Sequence, residues 1–66
     1  MTDQEILALP DTGHYRVEIW ARYGDDGPCE WHPDSHTETL ADALHLADCA
    51  RRFAAWPMVR VIALPA

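Results

Sequence analysis

The sharpest spacing of potentially reactive residues is Cys29-x2-His32-x12-His45-x3-Cys49. A zinc finger places one ligand pair on a hairpin, leaves twelve residues and places the second pair on a helix, and zinc accepts thiolate and imidazole alike. His36 is an alternative to His32. The plainer account makes Cys49 a small buried hydrophobe, Cys29 half-buried and the histidines solvated. Three features favour it. The intervening apolar residues do not fall where a finger's small core needs them. A helical wheel puts His45 on a polar face, with Cys49 at its edge. The chain also has enough strands to build a core without a metal. No cofactor is therefore expected, with zinc on Cys29, His32, His45 and Cys49 as the alternative.

Cysteine catalysis needs a thiol beside a histidine and a third, positioning group. Cys29 and His32 are three apart on a short strand and point to opposite faces. His45 and Cys49 are one helical turn apart and can touch. Neither pair has an evident pocket. There is no glycine-rich phosphate loop and no serine nucleophile motif, so no enzymatic activity is expected.

The carboxylates are suggestive by position. Asp11, Asp34, Glu38 and Asp42 are expected together, where the first strand and the helix both begin. Asp25 and Asp26 are expected at the opposite end, near Arg51 and Arg52. Complementing the helix dipole explains Glu38 and Asp42 but says less about Asp11 and Asp34. An acidic end of this kind would suit a basic groove on a protein that normally holds nucleic acid.

The elements that position these residues follow from periodicity. Residues 1–12 form an arm or a short helix: Thr2 and Glu5 have capping-box spacing, and Pro10 ends the segment. In strand 14–23, Tyr15, Val17, Ile19, Ala21 and Tyr23 alternate with Arg16, Glu18, Trp20 and Arg22, so the first set faces the core. Residues 24–28 make a turn. Strand 29–32 returns, with Cys29 and Trp31 on one side and Glu30 and His32 on the other, and Pro33 stops it. Helix 39–55, capped by Thr39, carries an apolar stripe of Leu40, Ala43, Leu44, Leu46, Ala47, Ala50, Phe53 and Ala54. Pro57 ends it, and strand 58–64 follows. Connection rules give an α+β, single-domain β-β-α-β fold over 1–66. Its three-stranded antiparallel sheet has order 2-1-3, with one helix on one face. That leaves Trp20, between Arg16 and Arg22, on the other face. There it is an ordinary exposed apolar residue, a binding hot spot, or a residue covered by the N-terminal arm.

Composition narrows the partners. Eleven acidic residues, five arginines and no lysine give a formal net charge of −6. Phosphate neutralisation needs the opposite sign, so direct nucleic-acid or anionic-membrane binding is not expected. A basic protein surface would attract the chain. Two cysteines make no disulfide framework. The acidic first residues do not read as a signal segment, and no apolar run is long enough to cross a bilayer. A cytoplasmic location with reduced thiols is expected.

In construction the chain resembles small orphan proteins of phages and mobile elements. The resemblance rests on Tyr15-Arg16-Val17-Glu18-Ile19-Trp20, Thr39-Leu40-Ala41-Asp42-Ala43-Leu44 and Trp56-Pro57-Met58-Val59-Arg60-Val61-Ile62. Anti-CRISPR proteins are similar in size, acidity and lack of enzymatic signature. The resemblance implies a phage-encoded inhibitor in the host cytoplasm, occluding a nucleic-acid-handling complex. The contact residues would be Trp20, Arg16 and Arg22, or the acidic end. The alternatives are a zinc-stabilised module and a self-associating module. In the latter, a homodimer would form through open sheet faces or through the third strand's edge, rich in Val59, Val61 and Ile62.

Overall fold

Alternate residues of the central strand divide the molecule into two layers. The computed structural model describes residues 1–22, 24–53 and 58–65, with Phe53 described for its backbone alone. In chain order the elements are α1 (Asp3–Leu7), β1 (Tyr15–Ala21), β2 (Glu30–Thr37), α2 (Leu40–Phe53) and β3 (Val59–Ala63). The sheet has order β2-β1-β3, and β1 is antiparallel to both neighbours. This is the expected α+β arrangement. The core-face position of Tyr23, the stripe positions of Phe53 and Ala54, the helix end at Ala55 and the stop at Pro57 lie outside the described residues.

The core is small. Tyr15 and Val17 from β1, Val59 and Val61 from β3, Ala43 and Ala47 from α2 and Ile6 from α1 are buried together. Leu40, Leu44, Leu46, Ala50, Leu9 and Ile19 pack against them. The two buried alanines, one helical turn apart, present little side chain toward the sheet. The α2 stripe falls as the 3.6-residue period requires. The Thr39 hydroxyl accepts from the Asp42 N–H at 3.1 Å and so caps the first turn. The N-terminal segment is a short helix rather than an extended arm. Thr2 and Glu5 satisfy each other's backbone N–H groups in a reciprocal capping box, and Ile6 is fully buried. After α1, the buried Tyr15 fixes the connection. Its hydroxyl donates to the Pro10 carbonyl (3.0 Å), accepts from the Thr12 N–H (3.2 Å) and lies 3.2 Å from Asp11 Oδ1.

Four expectations need correction. First, β2 does not stop at Pro33 but continues to Thr37. Pro33 lies opposite Glu18 and Ser35 opposite Val17, so Asp34 is the extra residue of a bulge. A proline without an N–H is tolerated on an edge strand or at a bulge, and β2 offers both. Second, Asp34 consequently sits mid-strand rather than with Asp11, Glu38 and Asp42 at the end of the sheet. Third, Arg51 and Arg52 find partners other than Asp25 and Asp26. Arg51 donates to Asp3 (3.3 Å) and to the Met1 carbonyl (2.6 Å), and Arg52 pairs with Asp48 at 3.0 Å. Fourth, the outer edge of β3 is not bare, because the Val61 N–H donates to Met1 Sδ at 3.3 Å.

Candidate functional site

The cysteine and histidine pattern does not assemble. Cys29 precedes β2, and His32 Nε2 lies 3.1 Å from the Ala21 carbonyl oxygen. His45 and Cys49 do meet on α2, at 3.7 Å between Nε2 and Sγ, on an exposed part of the helix. His36 stands on the other side of the sheet, 5.8 Å from the His14 ring. Among the described residues, no three His, Cys, Asp or Glu side chains gather as a metal site.

What does assemble is the sheet face turned away from α2. Registry places Trp20 opposite Trp31, Glu18 between Pro33 and Arg60, and Arg16 between His36 and Ile62. The two indoles pack edge to face, with centroids 5.3 Å apart and planes at 65°. Edge-to-face packing sets the positive edge of one ring against the negative face of the other. The Arg60 guanidinium reaches across β1 from the opposite edge strand and lies 4.3 Å from the Trp31 ring centroid, a cation–π contact. Under it Arg60 Nε donates to Glu18 Oε1 at 2.7 Å. Arg16 Nε stands 2.9 Å from Glu18 Oε2. That N–H is not aimed at the oxygen, so this second attraction is Coulombic rather than a directional hydrogen bond.

Glu18 is therefore a buried carboxylate (4% exposed) on the face that periodicity marks as polar. Such burial is tolerable because two guanidinium groups replace the lost water. The two arginines remain more than a third exposed, so solvent screens the pairing and reduces its worth. The arrangement also locks orientation. Glu18 holds Arg60, Arg60 holds Trp31, and Trp31 holds Trp20, which is neither freely exposed nor buried. The N-terminal helix contributes Ile6 to the core beside α2, while Met1 and Glu5 border this layer at its β3 edge, lining a hollow with Trp31, Met58, Val59 and Arg60.

At the hairpin end of the sheet the layer opens into a hollow of ≈ 330 Å³, lined among the described residues by Trp20, Ala21, Arg22, Cys29 and Met58. Backbone pairing continues here, from the Trp20 N–H to the Met58 carbonyl at 3.0 Å. Met58 is half exposed and Cys29 is a free, exposed thiol.

The expected contact residues Trp20, Arg16 and Arg22 share this region. The acidic set divides: Asp34 is at the bulge, Asp11 beside the Tyr15 hydroxyl, and Glu38 and Asp42 flank the start of α2. Sequence reasoning missed Trp31, Glu18, Arg60 and Met58. A signal for two of them was available. With Trp20 outward, strand parity puts Glu18 outward, and a hairpin pairing Trp20 with Trp31 brings the second indole to the same side. No protein-family model, curated protein or solved structure matches the chain. No helix among the described residues is long and apolar enough to cross a membrane.

Proposed function

We propose that the protein is a non-enzymatic binding module that recognises another protein through the sheet face that α2 leaves bare. The observation that carries this reading is the locked Trp20–Trp31–Arg60 layer. Tryptophan and arginine are the residue types that dominate interface energetics. Rings already held in place lose little further freedom when a partner covers them. Occlusion of a nucleic-acid-handling complex is the kind of binding that the chain's size, acidity and anti-CRISPR-like construction support.

The sheet face is preferred to the acidic end because Asp34 stands apart from Asp11, Glu38 and Asp42. It is preferred to edge-to-edge self-association because both edges are blunted. Pro33 and the bulge interrupt β2, and Met1 occupies the Val61 N–H of β3. Photo-crosslinking tests the reading. A benzophenone side chain at position 20 should capture a partner from lysate that the same group at position 45, on the exposed side of α2, does not. Equal capture from both positions, or capture from 45 alone, would refute it.

A further inference from the structure

Four of the five arginines are already paired with carboxylates. Arg16 and Arg60 share Glu18, Arg51 holds Asp3, and Arg52 holds Asp48. Arg22 is exposed and has no hydrogen-bond or ion-pair partner among the described residues. It stands on the hollow whose other described lining is Trp20, Ala21, Cys29 and Met58. In a chain of net charge −6, most of the surface repels anions. A lone uncommitted guanidinium beside an apolar hollow is the exception.

That combination selects an occupant by charge and by polarity. An apolar side chain can displace water from the hollow, in contact with Trp20 and Met58. A carboxylate beside it can pair with Arg22 in the fork geometry that guanidinium favours. The protein's net negative charge, with Asp25 and Asp26 at the same hairpin end, disfavours acidic ligands in general, so recognition here depends on direct pairing with Arg22. We propose that the hollow beside Arg22 receives a partner-protein segment in which a bulky apolar residue is flanked by carboxylates. This rests on the sheet-face reading above and names the chemistry of what that face takes. A single-stranded nucleic acid is the weaker candidate. Its bases could stack on the indoles, but tracking its phosphates needs a row of free cations. Arg16 and Arg60 are committed to Glu18, which leaves Arg22 alone.

The test uses the full chain labelled with nitrogen-15 and three probes. One is an end-blocked pentapeptide with phenylalanine between pairs of glutamates. The second has lysines in place of the glutamates, and the third is a short thymidine oligonucleotide. The glutamate peptide should shift the Trp20 indole and the amides of Trp20, Ala21, Arg22 and Cys29. Arg22→Glu, a change at an exposed and unpartnered position, should weaken that binding roughly tenfold or more. The lysine peptide should leave the spectrum unchanged. Three results overturn the proposal: no shift with the glutamate peptide at about 10 mM, far weaker than any useful affinity; equal shifts with the lysine peptide; or shifts at the hollow from the oligonucleotide alone. The natural partner separates the two levels of inference. Capture lost in Trp20→Glu but retained in Arg22→Glu leaves the sheet face standing and removes the carboxylate chemistry. Capture retained in both removes the two together.

Discussion

The two faces of one three-stranded sheet are built on different physics. Toward the helices, Tyr15, Val17, Val59 and Val61 meet Ala43, Ala47 and Ile6, and stability comes from removing apolar surface from water. On the opposite face Glu18, Arg16, Arg60, Trp20 and Trp31 interlock through charge and ring contacts while remaining partly wet. The first face specifies the fold. The second adds less stability per residue but fixes the orientation of side chains that could meet a partner. A small domain that needs its apolar residues for the core can thus still present a rigid surface, because ion pairing substitutes for burial in ordering that surface.

The contrast can be broken from either side. The largest effect should come from Tyr15→Ala. Losing a buried aromatic costs about 3–5 kcal/mol, comparable to the whole stability a domain of this size ordinarily commands. The variant should lack dispersed amide resonances at 25 °C. Glu18→Gln should cost less, about 1–2 kcal/mol, because its arginine partners are screened by solvent. It should lower the urea midpoint while leaving a folded spectrum, and it should reduce the near-ultraviolet circular dichroism of the Trp20–Trp31 pair. A midpoint unchanged by Glu18→Gln would mean that the polar layer is decorative. Thr2→Ala removes half of the α1 capping box and should cost about 1 kcal/mol, read as faster hydrogen exchange at Glu5 and Ile6. Ser35→Ala should be neutral or stabilising by up to about 1 kcal/mol, since the buried Ser35 hydroxyl has no hydrogen-bond partner among the described residues.

The smallest effect concerns pH. The Thr2 backbone N–H, and then the Thr2 hydroxyl, hold the Glu5 carboxyl below its ordinary value of 4.5. A folded-state value lower than the unfolded one stabilises at pH above the ordinary value, and that contribution is lost as pH falls through the lowered value. Fraying of α1 should therefore increase on acidification below pH 4.5, seen in the Thr2 and Glu5 amide shifts. Glu5→Gln should flatten the response.

The face built on burial was the legible one. Period two in 15–21 and the α2 stripe are local patterns, and each residue's side follows from counting along its own element. Joined to the rules for short, right-handed connections, they suffice for the strand order. The polar layer is non-local. Glu18 looks like a solvated charge until Arg60, forty-two positions away, is laid beside it. The length of β2 was misjudged for a related reason. Proline ends a strand only where its N–H is needed, and whether it is needed depends on the strand being an edge. The bulge that moves Asp34 away from the other carboxylates is marked locally only by Pro33, which fits a strand end equally well.

The central claim is that the helix-free face, rather than the fold as a whole, is what a partner recognises. The most direct measurement is partner binding by Trp20→Glu beside His45→Glu, a matched charge on the exposed side of α2, with amide spectra recorded for both. The account predicts two folded proteins, with binding abolished in the first and retained in the second. Undiminished binding by a folded Trp20→Glu, or equal loss in both variants, would contradict it.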